Sequence, residues 1–240
     1  MITCDLEPDM IRAISFDLDD TLWPVAPAIA QAELDVHAFF ARHAPAIAER
    51  FPPEVQRERR VTLWKSRPDL KHNLTAIRRL AVEELFTGAG LNPDAALVDG
   101  AMEAYFAARN AVQFYDDVSA VLPALGQRYT LATLTNGNAN LQRIGIAHWF
   151  AHDFSSSRFG VAKPDPAIFA AACEQLALPP AQVLHVGDDA ALDVRAARAA
   201  GLQVFWLNRE DRAWDSDEPA PPSGSTLHEL VQWLGQRIGQ

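Results

Sequence analysis

Three short apolar runs, each ending abruptly in polar or acidic residues, set the strongest limit on how this chain can fold. "AISF" (13–16) leads into Asp17, "YTLATL" (129–134) leads into Thr135, and "VLHV" (183–186) leads into Gly187-Asp188-Asp189. Runs of four to six aliphatic and aromatic residues read as strands buried on both faces. A fourth run, "QVFWL" (203–207), follows a helical stretch over 190–200 that Gly201 is placed to cap at C′. This strand–helix–strand rhythm predicts an α/β fold with a Rossmann-like parallel sheet. In such sheets ligands bind beyond the carboxyl ends of the strands, where these polar residues fall.

The segment between the first and second runs reads differently. It has helical periodicity, with helices expected over 27–43, 54–65, 73–86 and 93–109, and breaks at "RFPPE", "SRPD" and "TGAGLNPD". We read residues 25–114 as an inserted helical domain and residues 1–24 with 115–240 as the α/β core. The hinges are expected near 23–27 and 110–117. "DSDEPAPPSGS" (215–225) reads as a polar loop before a last helix over 227–237.

Composition narrows the partners. With 21 basic and 31 acidic residues the net charge is −10, which argues against nucleic acid or an anionic membrane as the ligand. The two cysteines, Cys4 and Cys173, have no metal-ligand spacing and make no disulfide framework, so a reducing cytoplasm is expected. The acidic start "MITCDLEPDM" lacks the apolar stretch of a secretory signal, and no run has the length of a membrane span.

Asp17, Asp19 and Asp20 stand within four residues, and Asp188, Asp189 and Asp193 form a second acidic group. Each set has an ordinary explanation. The first could be a solvated acidic turn and the second a helix N-terminus, where acids cap free N–H groups. If the strands are neighbours, however, the carboxylates converge and repel, and a hard divalent cation would relieve them. Mg²⁺ suits such an oxygen donor set. In "VAKPDPAIF", Pro164 keeps Lys163 extended, while Asp165 as N-cap and Pro166 at N1 start a helix. That fixes a lysine at a loop tip, although a surface lysine would look the same. Thr135 and Asn136 offer a hydroxyl and a backbone N–H for a phosphate oxygen, or simply an Asn-Gly turn.

In order and placement, "FDLDDTLW", "LTNGN", "KPDPAIF" and "HVGDDAALD" resemble the four motifs of the haloacid dehalogenase-like hydrolases, and the helical insertion lies where that family carries its cap domain. The resemblance implies a phosphatase for a small phosphate ester. Asp17 would be the nucleophile of an aspartyl-phosphate intermediate and Asp19 the general acid/base. Thr135, Asn136 and Lys163 would bind the phosphoryl group. Asp17, Asp19 (through its carbonyl) and Asp188 would hold Mg²⁺, with Asp189 direct or through water. Thr21 would support the first loop, and Asp193 would be structural. "PDLKHNLTAIRR", "NGNA", "LHVGDD" and "WDS" are further similar to bacterial phosphatases acting on FMN and on the phosphoribitylamino-uracil precursor of riboflavin. The family's dehalogenases lack an acid at the Asp19 position and use no metal, whereas its phosphomutases share every motif. A phospho-accepting signalling module has similar groups but about half this length. Trp64, Lys65, Arg67 and His72 could meet the leaving group, with Trp64 read first as cap core. His185 reads as a satisfied core histidine. A monomer or homodimer is expected.

Overall fold

The computed structural model describes residues 10–238, so the readings for Cys4 and the N-terminal stretch 1–9 lie outside the described residues. The described chain divides into two compact units. One comprises residues 10–23, 114–137 and 145–238, and the other residues 24–113 and 138–144.

The first unit is built on six parallel strands. They are β1 (Ala13–Phe16), β2 (Thr130–Thr135), β3 (His152–Ser155), β4 (Val183–Gly187), β5 (Gln203–Leu207) and β6 (Ser223–Gly224). Their spatial order is β3-β2-β1-β4-β5-β6. The chain winds one way from β1 through β2 to β3 and the other way through β4 to β6. The carboxyl end of β1 therefore lies at the topological switch point, where α/β sheets form their binding crevice. The register brings Phe16 level with Thr133 on one side and Val186 on the other. β2 runs two residues and β4 one residue past this level, to Thr135 and Gly187, so all three strands end at the same edge of the sheet.

β1 and β4 are buried along their whole length, as strands covered on both faces must be. Ile168 and Phe169 of the helix Pro166–Leu176 and Val194 and Ala197 of the segment after β4 pack into one cluster with Ala132, Phe154 and Val204. Burying each Phe or Ile contributes about 1.5–3 kcal/mol. Two strands were not anticipated. β3 carries only Phe154 as a buried apolar residue, and β6 is two residues long. The stretch 190–200 also departs from a plain helix. It opens as a π-helical turn over Ala190–Arg195 and becomes α-helical over Ala196–Ala199. Gly201, at φ +85°, ends it as expected.

The second unit is helical: α1 (Val25–His43), α2 (Pro45–Arg50), α3 (Pro53–Ser66), α4 (Leu74–Gly88) and α5 (Ala95–Arg109). Val36 and Phe40 of α1, Val82 and Phe86 of α4 and Val98 and Met102 of α5 share its core. Asn73 and Asp94 cap α4 and α5 by accepting from Ala76 N and Leu97 N. α3 buries no residue completely, and Trp64 is 36% exposed, which corrects its reading as cap core. Residues 138–144 also belong to this unit, a fragment that a continuous 25–114 segment leaves out. Asn138 accepts from Tyr105 Oη at 3.4 Å and Arg109 Nε at 3.3 Å, and Asn110 Oδ1 accepts from Asn140 N at 2.7 Å. Among the described residues no helix is long and apolar enough to cross a membrane.

Candidate active site

β1 ends at Asp17, whose N–H donates to Val186 O on β4 at 2.9 Å. The next residues curl into a tight turn. Leu22 N donates to Leu18 O, Asp20 N donates to Trp23 O, and Asp20 adopts φ +58°. An αL conformation is tolerated at aspartate better than at most residues. β4 ends at Gly187, and Asp188 follows. Oxygens of Asp17, Asp188 and Asp193 lie within 4.8 Å of one another. The two acidic groups of the sequence therefore meet. The third member is Asp193 rather than Asp189, and Asp19 lies outside the set.

Asp193 reaches this position because Gly187 has no side chain. A Cβ on Gly187 would lie 2.3 Å from Asp193 Cγ. The Asp193 carboxylate accepts from Lys163 Nζ at 2.5 Å, His185 Nε2 at 3.0 Å and Asp189 N at 3.1 Å. A carboxylate only accepts, so His185 carries its proton on Nε2, and Ser15 Oγ donates to Nδ1 at 2.9 Å. His185 is the satisfied core histidine expected, and burial lowers its pKa. Lys163 Nζ also donates to Asp17 Oδ1 at 2.7 Å. The lysine backbone is clamped by the Asn136 amide, which donates to Lys163 O and accepts from Lys163 N at 2.9 and 2.8 Å. The Asn136 side chain therefore positions Lys163. Thr135 Oγ1 accepts from Gly137 N at 2.9 Å, a bond that leaves its own hydrogen available to a further acceptor.

Three carboxylates and one ammonium leave a local charge of −2 (−3 + 1) in a largely buried site. Burial raises the Asp17 pKa well above the carboxylate range; Lys163 offsets this in part, and Asp193 adds to it. Asp188 is pushed up to about 6, by burial and then by Asp193. Burial would likewise raise Asp193, but Lys163 and His185 hold it well below the usual range. Lys163 would be lowered by burial, yet Asp17 and Asp193 keep it protonated. Thr21 Oγ1 sits 3.1 Å from Asp188 Oδ1 and 3.5 Å from Asp17 Oδ2, between the two repelling groups.

The other predicted residues are placed differently. Asp19 Oδ1 accepts from Trp23 Nε1 at 2.9 Å. Asp189 Oδ1 accepts from Ala191 N and Leu192 N at 2.7 and 2.8 Å, so it serves as an N-cap. In the helical unit Arg67 pairs with Asp69 at 2.7 Å, Lys65 is exposed and His72 is half-buried. Two arginines escaped the sequence reading. Arg212 Nη2 donates to Asp188 Oδ2 at 3.1 Å, and Arg209 forks onto Asp117 at 3.0 Å twice while donating to Thr21 O at 2.9 Å. No short-range pattern marks such pairs, since Arg209 and Asp117 stand 92 residues apart.

The chain is similar in sequence and fold to known proteins. The family model for haloacid dehalogenase-like hydrolases matches residues 11–201. The 5-amino-6-(5-phospho-D-ribitylamino)uracil phosphatase YigB of Escherichia coli (strain K12) is 30% identical over 212 residues, 86% of this chain and 89% of that protein. The phosphoserine phosphatase of Thermus thermophilus is 32% identical over 233 residues, 86% of this chain and 92% of that protein. Among solved structures, a 2-haloacid dehalogenase from Pseudomonas syringae pv. Tomato DC3000 superposes with TM-score 0.88 at 35% identity, covering 95% of this chain and 99% of that one. With its acids gathered at the end of β1 and a matching sequence over most of its length, the chain belongs to the haloacid dehalogenase-like hydrolases.

Proposed function

We propose that this hydrolase is a Mg²⁺-dependent phosphatase of small phosphorylated metabolites. The observation that carries this reading is the meeting of Asp17, Asp188 and Asp193 around Lys163 at the switch point of the sheet. The donor set suits magnesium: hard carboxylate oxygens, on groups two of which have pKa values raised by burial and then by neighbouring carboxylates, with only one ammonium to balance them. Asp17 and Asp188 would hold the ion, because Asp193 is already committed to Lys163, His185 and the Asp189 N–H. When bound, it would supply positive charge to the phosphoryl oxygens.

The chain's own groups divide the remaining work. An Asp17 carboxylate oxygen attacks phosphorus, forming the acyl-phosphate bond as the ester P–O bond breaks. Asp19 gives its proton to the departing alkoxide. It then takes a proton from the water that attacks phosphorus, releasing inorganic phosphate and restoring the Asp17 carboxylate. The Trp23 indole, which donates to Asp19 Oδ1 at 2.9 Å, positions this carboxylate. Lys163 and the Thr135 hydroxyl hold the phosphoryl oxygens, and the Asn136 clamp fixes where Lys163 begins. The helical unit acts as the cap that selects the leaving group. FMN and the phosphoribitylamino-uracil are the leading substrates, supported by the short cap and core motifs and by the relative from Escherichia coli.

The test is phosphate release from p-nitrophenyl phosphate, FMN and a panel of phosphorylated metabolites, with Mg²⁺ and with EDTA. Turnover is expected only with the metal, and Asp17→Asn lowers it by at least about a thousandfold with the fold retained. The likeness to a 2-haloacid dehalogenase gives a second reading its place. Halide released from 2-chloropropionate in EDTA, with no phosphate released in Mg²⁺, would replace the phosphatase reading with that one.

A further inference from the structure

The turn after β1 has to keep a shape that its own residues do not favour. It gathers Asp17, Asp19 and Asp20 within four residues and puts Asp20 in the left-handed region at φ +58°. Inside the turn, Leu22 N donates to Leu18 O at 2.8 Å and Asp20 N donates to Trp23 O at 2.7 Å. Its second half is also tied from outside. Tyr115 N donates to Leu22 O at 3.1 Å, and Arg209 Nε donates to Thr21 O at 2.9 Å.

Arg209 is held rigidly for this contact. It stands two residues beyond β5, and its side chain is 9% exposed. Nη1 and Nη2 each donate to a different oxygen of Asp117 at 3.0 Å, and the Asp117 side chain is 7% exposed. The Tyr115 ring stacks on the guanidinium, with its centroid 4.1 Å from Cζ. Asp117 Oδ2 also accepts from Leu227 N at 2.7 Å. Asp117 directly precedes the helix Val118–Gly126, and Leu227 opens the helix Leu227–Ile238, so two elements anchor the carboxylate. A guanidinium is planar, so seating its fork on Asp117 also sets the direction of its Nε–H bond, and that bond meets the turn. A buried ion pair adds little net stability once desolvation is counted, and its geometry is the part left to explain.

We propose that Arg209, locked by Asp117, is a positioning residue of the active site: it holds the turn after β1 so that Thr21 and Asp19 keep their places beside Asp17. Two side chains transmit the effect. Thr21, whose carbonyl Arg209 holds, has its Oγ1 3.1 Å from Asp188 Oδ1 and 3.5 Å from Asp17 Oδ2. Trp23, two residues on, aims its indole N–H at Asp19 Oδ1. The contacts of Arg209 are with Thr21 O, Asp117, Ser225 O and Tyr115 rather than with Asp17 or Asp19, so it acts on turnover through the turn and not on substrate binding. A displacement of about 1 Å at a reacting centre costs up to about a hundredfold in rate. The kinetic side of this inference rests on the phosphatase reading, whereas the hold on the turn does not.

Hydrogen exchange and kinetics on the full chain test it together. Arg209→Lys keeps the charge and loses the planar fork. In EDTA, amide exchange at Asp20 and Leu22 is expected to quicken by at least about tenfold, with β2 and β4 unchanged. With Mg²⁺, kcat for p-nitrophenyl phosphate falls by at least about tenfold while KM stays within about twofold. Asp117→Asn gives the same pattern and carries the test if Arg209→Lys does not fold. Because the two side chains act as one unit, the double variant loses no more kcat than the larger of the single losses. Unchanged exchange at Asp20 and Leu22 in the folded variants overturns the proposal. Unchanged kcat with a lowered unfolding midpoint overturns it as well, since the pair would then be merely structural. If the unmodified chain releases no phosphate, the phosphatase reading falls by itself, and exchange at the turn alone decides.

Discussion

Asp193 is the side chain on which the acid cluster turns, although its position in the sequence marks it only as an acid four residues into a helix. It is 2% exposed and accepts from a lysine, a histidine and a backbone N–H at once. Asp193→Asn keeps the shape and removes the charge, so Lys163 is left buried with one carboxylate. A loss of about 3–5 kcal/mol in unfolding free energy by urea titration is expected; unchanged stability would show that Asp17 alone satisfies the lysine. Cys173 offers a plainer case. Burial pushes its thiol up to about 11. The thiolate fraction at pH 8 is then about one in a thousand. In a Cys4→Ser variant, Ellman's reagent should label Cys173 at least about a hundredfold more slowly in the folded protein than in urea. Equal rates would show the thiol to be open.

The elements were legible wherever burial forces a pattern. β1, β4 and β5 are covered on both faces, so their apolar runs stand out, and Asp165-Pro166 announces the helix Pro166–Leu176 through its capping chemistry. β3 and β6 escaped because pairing with a neighbour, rather than composition, makes them strands. His152, Asp153 and Ser155 are polar, and Ser223–Gly224 is too short to show any alternation. Which acids meet was likewise hidden, because the π-helical turn after β4 decides it. Asp189 opens that turn and caps it, and Asp193, one turn on, faces the cluster. Two roles for Asp189, cap and metal ligand, predict different outcomes. For the cap, Asp189→Ala lowers stability by about 1 kcal/mol and leaves the Mg²⁺ dissociation constant unchanged. Loss of Mg²⁺ affinity with unchanged stability would reassign it as a ligand.

The acid cluster also ties the stability of the whole chain to pH and, on the proposed magnesium assignment, to metal. Asp17 and Asp188 have folded pKa values above those of an unfolded chain, the latter at about 6. The folded state therefore holds protons more tightly than the unfolded one across this range. Their protonation stabilises the metal-free protein below about pH 4, and that contribution is lost as the pH climbs through about 6. Mg²⁺ requires the same carboxylates without their protons, so metal and protons compete. Arg212, 44% exposed and 3.1 Å from Asp188 Oδ2, is too weakly placed to replace the ion. At pH 7.5, Mg²⁺ at a hundred times its dissociation constant should contribute about 2.7 kcal/mol. For a chain of this length that raises Tm by about 5–10 °C. At pH 5 the same Mg²⁺ concentration should raise it by less than half as much. Thermal melts with Mg²⁺ and with EDTA at the two pH values decide the matter. A metal-induced shift that is the same at both, or absent at pH 7.5, would mean that these aspartates hold their charge without a cation, and the magnesium assignment would fall with them.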